Sequence, residues 1–195
     1  MTGQTFDFGP QALVVARLAE GVTDAQLDGV TPCPEYAVRN LVGHLTGLAV
    51  AFRDAGRKDL GPTTDTSPTA SLPDIGPDWR EALPKALDGL ADAWRDPAAW
   101  TGTTRAGGVS LPAGAAAAVA ADELVVHGWD LARATGQEYA PDAVLLEVTH
   151  GFLAGVADDP TRLGGIFGPV VPVPGDAPLL DRVIGLSGRD PGWKP

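Results

Sequence analysis

Val38, Leu41, Val42, Leu45, Leu48, Ala49 and Phe52 stand at offsets of 0, 3, 4, 7, 10, 11 and 14, and no other stretch constrains the fold as tightly. This is the rhythm of a helix that buries one stripe. Nothing elsewhere alternates with period two for long enough to build a sheet, so the expected class is all-α, a four-helix bundle with long connections. At 195 residues the chain fits one domain, 1–195. With 44% apolar and 20% charged residues it has enough apolar surface to bury a core.

Proline and glycine divide the remainder. A first helix is expected from Pro10 to Glu20, with Leu13, Val14 and Leu18 at helical spacing and Gly21 as its stop. A turn near Asp24 to Leu27 follows. The segment Thr31-Pro32-Cys33-Pro34 reads as a rigid loop, because each proline removes a donor and restrains its predecessor. Gly56 to Gly76 reads as a long exposed connection. A third helix should carry Trp79, Leu83, Leu87, Leu90 and Trp94 on one face, with Pro84 forcing a kink or a start near Leu83. Asp96 to Gly108 looks irregular, extended briefly at Trp100 to Thr104. The fourth helix takes Ser110 as N-cap, Pro112 in its first turn and Gly136 as terminator. A fifth spans Asp142 to Val156. The Pro/Gly-rich tail holds a short helix at Leu179 to Leu186.

The charge balance narrows the functional classes. Twenty-five acidic against 14 basic residues give a net charge of -11, and no basic cluster offers the counterion release that nucleic-acid binding draws on, so no nucleic-acid partner is expected. A single cysteine, Cys33, excludes an intramolecular disulfide and suits the cytoplasm. The longest apolar stretch, Ala113 to Ala121, is far short of the roughly 18 residues of a membrane span, and the start lacks a cationic n-region. The expectation is a cytoplasmic protein with no membrane partner.

Candidate chemistry centres on two helices. His44 falls on the buried stripe of the second helix, three residues after Leu41 and four before Leu48. Glu123 and His127, four apart, share a face of the fourth helix. A carboxylate and an imidazole at that spacing suit a divalent metal, and both sit among apolar neighbours where unpaired burial is costly. One ion joining His44, Glu123 and His127 would remove both penalties and leave a coordination position open, as catalytic zinc does. Asp130, three residues after His127, is placed to hold the free imidazole N–H from outside the ligand set. Blander readings stand beside these: His44 as a satisfied core imidazole, Glu123 and His127 as a helix ion pair, Asp130 as the partner of Arg133. Cys33 is either a thiol activated by the second helix's N-terminus or an inert buried one. Trp129 reads as packing, His150 as surface, and Glu35 as a cap on the second helix through its macrodipole.

Three segments carry a resemblance. TPCPEYAVRNLVGHL (Thr31 to Leu45), ELVVHGWDLARATG (Glu123 to Gly136) and GRDPGW (Gly188 to Trp193) together resemble the DinB-like superfamily, closest to actinobacterial proteins related to the N-terminal domain of mycothiol-dependent maleylpyruvate isomerase. The resemblance implies a four-helix bundle holding a divalent metal, usually zinc or nickel, on His44, Glu123 and His127. Tyr36 stands where the family's loop usually has Trp. The isomerases carry a further C-terminal domain where this sequence shows a short tail, so activity towards maleylpyruvate itself is not expected. The function implied is a metal-dependent transferase or isomerase in which a low-molecular-weight thiol, mycothiol, meets a small electrophile. A non-catalytic metal- or ligand-binding bundle and a metal-dependent hydrolase remain as rivals. No residue declares itself a general base, and pairing into a homodimer stays open.

Overall fold

A computed structural model describes residues 5–67, 71–159 and 167–195. The parts of the long connection and of the Pro/Gly-rich tail at 68–70 and 160–166 lie outside the described residues. The helices are α1 (Gly9–Glu20), α2 (Val38–Arg57), a one-turn α3 (Pro62–Asp65), α4 (Trp79–Arg95), α5 (Ala113–Thr135), α6 (Ala143–Gly155) and α7 (Leu179–Leu186). Four of them close a ring in which α1 and α2 are each flanked by α4 and α5, while α6 packs on α5 and α7 on α6. This is the expected helical bundle.

The stripe on α2 is buried at all seven positions, and so are Trp79, Leu83, Leu87, Leu90 and Trp94 of α4. Fully burying side chains of this size contributes roughly 1.5–3 kcal/mol each. Pro84 does not start α4, which begins at Trp79 and carries the proline in its second turn. On α1 the buried face is Gln11, Ala12, Val15, Leu18 and Ala19, while Leu13 is exposed. Gln11 is tolerated inside because its amide donates to the Leu124 carbonyl (3.0 Å) and to the Tyr139 hydroxyl (2.9 Å) and accepts from Asp142 N (2.9 Å).

Two boundaries differ from expectation. Residues 103–112 form an antiparallel hairpin, β1 (Thr103–Ala106) and β2 (Val109–Pro112), turned by Gly107 and Gly108 at φ 58° and 80°. Two successive left-handed residues are what a tight hairpin turn demands, and glycine adopts them without steric cost. Ser110 therefore lies in β2 and caps nothing; α5 begins at Ala113 behind Pro112. At α2, the start falls at Val38, and Glu35 is not in its first turn. The Asn40 side chain instead accepts from Ala37 N (3.0 Å), which satisfies the terminus locally.

Candidate metal centre

The seam between α2 and α5 brings the three predicted donors together. His44 reaches across from the second turn of α2, and Glu123 and His127 project from the middle of α5. Glu123 Oε2 lies 3.2 Å from His44 Nε2 and 3.2 Å from His127 Nε2, and the donor atoms of all three residues fall within 4.8 Å of one another. The imidazoles meet edge to face, centroids 4.8 Å apart at 83°. The two 3.2 Å separations fit an ion: two donors each about 2.1 Å from a shared cation sit roughly 3.0–3.4 Å apart at octahedral to tetrahedral angles. Two nitrogens and one carboxylate oxygen are also a donor set that zinc and nickel both accept.

Behind the donors runs a line of compensating charges. His127 Nδ1 donates to Asp130 Oδ2 at 2.9 Å, which turns Nε2 towards Glu123 and His44. Asp130 is wholly buried, and its second partner is Arg189, whose Nε donates to Oδ1 (2.8 Å) and Oδ2 (3.0 Å). The alternative pairing of Asp130 with Arg133 does not form. Arg133 lies over the Trp129 ring (5.6 Å) and donates to the Trp193 carbonyl (2.7 Å). Trp129 is buried, the packing role expected of it.

The electrostatics follow from this order. Burial alone would push the Glu123 carboxyl up, but hydrogen bonds from His127 and His44 and their charges hold it well below the usual carboxylate range. Burial alone would pull His127 down, yet hydrogen bonds to Asp130 and Glu123 and their charges raise it to about 9. For Asp130 the upward push of burial is overcome by the Arg189 charge and the His127 hydrogen bond. Next to this balanced line stands Asp122, raised to about 8 by burial first and by the Glu123 charge second, with Oδ1 buried and without a hydrogen-bond partner among the described residues.

The loop before α2 walls the site. Tyr36 lies 5.3 Å from the His44 ring and 6.5 Å from that of His127, centroid to centroid, and burial raises its phenol to about 12. Cys33 is the inert alternative: burial raises its thiol to about 11, and the Arg189 charge only partly opposes this. His150 is half-buried rather than on the open surface, with Arg182 Nη2 at 2.9 Å from its Nε2.

Residues 9–132, which include all three donors, match the mycothiol maleylpyruvate isomerase N-terminal domain family. The chain belongs to that family. Two uncharacterized proteins of Mycobacterium tuberculosis, Rv0738 and MT0763, are each 27% identical over 176 residues, 89% of this chain and 91% of theirs. Among solved structures, a histidine-to-alanine variant of the mycothiol-dependent maleylpyruvate isomerase overlays with TM-score 0.65 at 18% identity, covering 92% of this chain and 85% of that one. The isomerase without that change gives 0.58 at 18%, covering 93% and 86%. These overlays show a shared helical fold. The likeness continues past residue 132 into the part expected to be only a short tail. Among the described residues, no helix is long and apolar enough to cross a membrane.

Proposed function

We propose that this protein holds one divalent cation, zinc or nickel, on His44, Glu123 and His127 and uses it to transfer a low-molecular-weight thiol, mycothiol, to a small electrophile or to isomerise the adduct. The observation that carries this reading is the convergence of two imidazole nitrogens, from two helices, on one carboxylate oxygen at 3.2 Å each, with all three donors within 4.8 Å of one another. Family membership supports the choice of thiol. When bound, the cation supplies a positive field that ionises a coordinating thiol at neutral pH.

The chain's own residues supply the rest. Asp130 fixes the His127 ring so that Nε2 faces the other donors. Tyr36, whose phenol burial raises to about 12, offers a ring wall beside them. The reacting sulfur is assigned to the cosubstrate, since burial raises the Cys33 thiol to about 11. Arg189 and Arg133 tie the C-terminal turn to α5, so that turn belongs to the same working unit as the donors.

Elemental analysis of tag-free protein, beside His127→Ala, tests the reading. The wild type should carry about one zinc or nickel per chain and conjugate mycothiol to members of an electrophile panel; the variant should lose both. Unchanged metal content in His127→Ala refutes the ligand assignment. Turnover of esters or amides without any thiol would replace the transferase with a hydrolase, and metal without any turnover would leave a binding bundle.

A further inference from the structure

The GRDPGW turn lies 59 residues along the chain from Asp130, yet it sits against the candidate site. Its geometry is specific. Arg189 N donates to the Ile184 carbonyl (3.1 Å), fastening the turn to the end of α7. Gly188 takes φ +87°, and a Cβ there would meet Gly168 backbone atoms at 3.0 Å, so only glycine fits the bend. The Arg189 guanidinium is held from its own turn as well, with Nη1 3.3 Å from the Ser187 carbonyl. Its Nε then reaches both oxygens of the Asp130 carboxylate, whose remaining partner is His127.

We infer that Arg189 is a positioning residue: through Asp130 it fixes the His127 imidazole with Nδ1–H on the carboxylate and Nε2 towards Glu123 and His44, so the grip on the cation depends on the docked C-terminal turn. This inference rests on the proposed metal site. A wholly buried carboxylate without its guanidinium is an uncompensated anion, which draws in water or swings away and leaves the His127 ring without its acceptor. Arg133 provides the internal control. It pins the same turn through the Trp193 carbonyl and, among the described residues, forms no hydrogen bond or ion pair with Asp130 or His127.

Zinc affinity is measured by competition with a chromophoric chelator for wild type, Arg189→Met, Arg133→Met, Asp130→Asn and the Arg189→Met/Asp130→Asn double variant. Loss of a partner outside the ligand set typically weakens a metal site roughly 10–100-fold. Arg189→Met should fall about 10-fold, Arg133→Met less than about twofold, and the double variant no further than Asp130→Asn alone, because both changes break one relay. Arg189→Gln takes the place of the methionine variant if that does not fold, with the same outcomes applying. A second readout needs no metal: the downfield Nδ1–H resonance of His127 should be present in wild type and Arg133→Met and lost to exchange in Arg189→Met. Unchanged affinity in Arg189→Met, an equal loss in Arg133→Met, additive losses in the double variant, or a retained Nδ1–H resonance each overturn the inference. A wild type that binds no divalent ion sinks the metal reading, and the resonance then still decides the role of Arg189.

Discussion

Exchanging Glu123 for glutamine changes almost no volume and removes one charge from the point where both imidazoles converge. Its Oε2 is 3.2 Å from His127 Nε2, and at an effective dielectric constant of about 20 two unit charges at that separation attract by roughly 5 kcal/mol. Desolvation cancels much of this, so the net value of the charge-assisted contact is about 1.5–3 kcal/mol. For a chain of this size each kcal/mol moves the melting temperature by roughly 2–4 °C. In chelator, Glu123→Gln should therefore melt about 3–12 °C below wild type. Added zinc at 100 times the wild-type Kd stabilises wild type by about 2.7 kcal/mol, a rise of roughly 5–11 °C. If the variant binds about 100-fold more weakly, the same zinc gives only about 0.4 kcal/mol, a rise of about 1–2 °C. Differential scanning calorimetry with and without zinc measures both terms. A variant that melts at or above wild type in chelator would show that the burial of Glu123 outweighs its pairing. A zinc-induced rise equal to wild type would remove Glu123 from the ligand set.

Two other outcomes are expected. His127 is held at about 9 against an ordinary 6.5, so its pairing contributes in full below about pH 6.5 and is lost as pH rises through about 9. The urea midpoint in chelator should accordingly fall between pH 6.5 and 9.5 in wild type and much less in His127→Ala, and equal slopes would refute the pairing. Gly43→Ala should cost about 1–3 kcal/mol by thermal melting, because its Cβ would meet the Asp74 carbonyl at 2.6 Å where the 71–75 segment crosses α2; wild-type stability in that variant would mean the segment yields freely.

What the sequence could disclose depended on the range of the interaction responsible. The stripe from Val38 to Phe52 is a property of one helix, and its phase alone put His44 on the inner face. The four-residue step from Glu123 to His127 is local in the same way. Neither pattern tells which helices adjoin; only the packing of α2 against α5 makes the two halves one site. The hairpin was missed because its arms are four residues long, too short for alternation to register, although the Gly107-Gly108 pair is a hairpin signal in its own right. Ser110 and Glu35 looked like caps because their residue types favour helix starts, and neighbouring backbone took those starts elsewhere: β2 runs through Ser110, and the Asn40 side chain serves α2. The sequence offered Asp130 two local partners, His127 and, as the alternative, Arg133 at three residues' distance, and the first of these forms. Arg189 holds the second place, and no local rule reaches 59 residues along a chain.

Arg189, Asp130, His127 and Glu123 form a buried line of alternating sign, positive, negative, positive, negative, with His127 raised and both carboxyls lowered by their neighbours. Each charge in the line stands next to its opposite, which is why ionised groups are tolerable beside a core of Leu41, Leu45, Leu124 and Val125. The proton on His127 Nε2 thus occupies the side of the ring where a cation would bind, and the bundle need not await a metal to fold, unlike small zinc domains whose folding energy is the ion's. A divalent cation held there would take the place of that proton, so its binding would weaken as acid returns the proton to the ring.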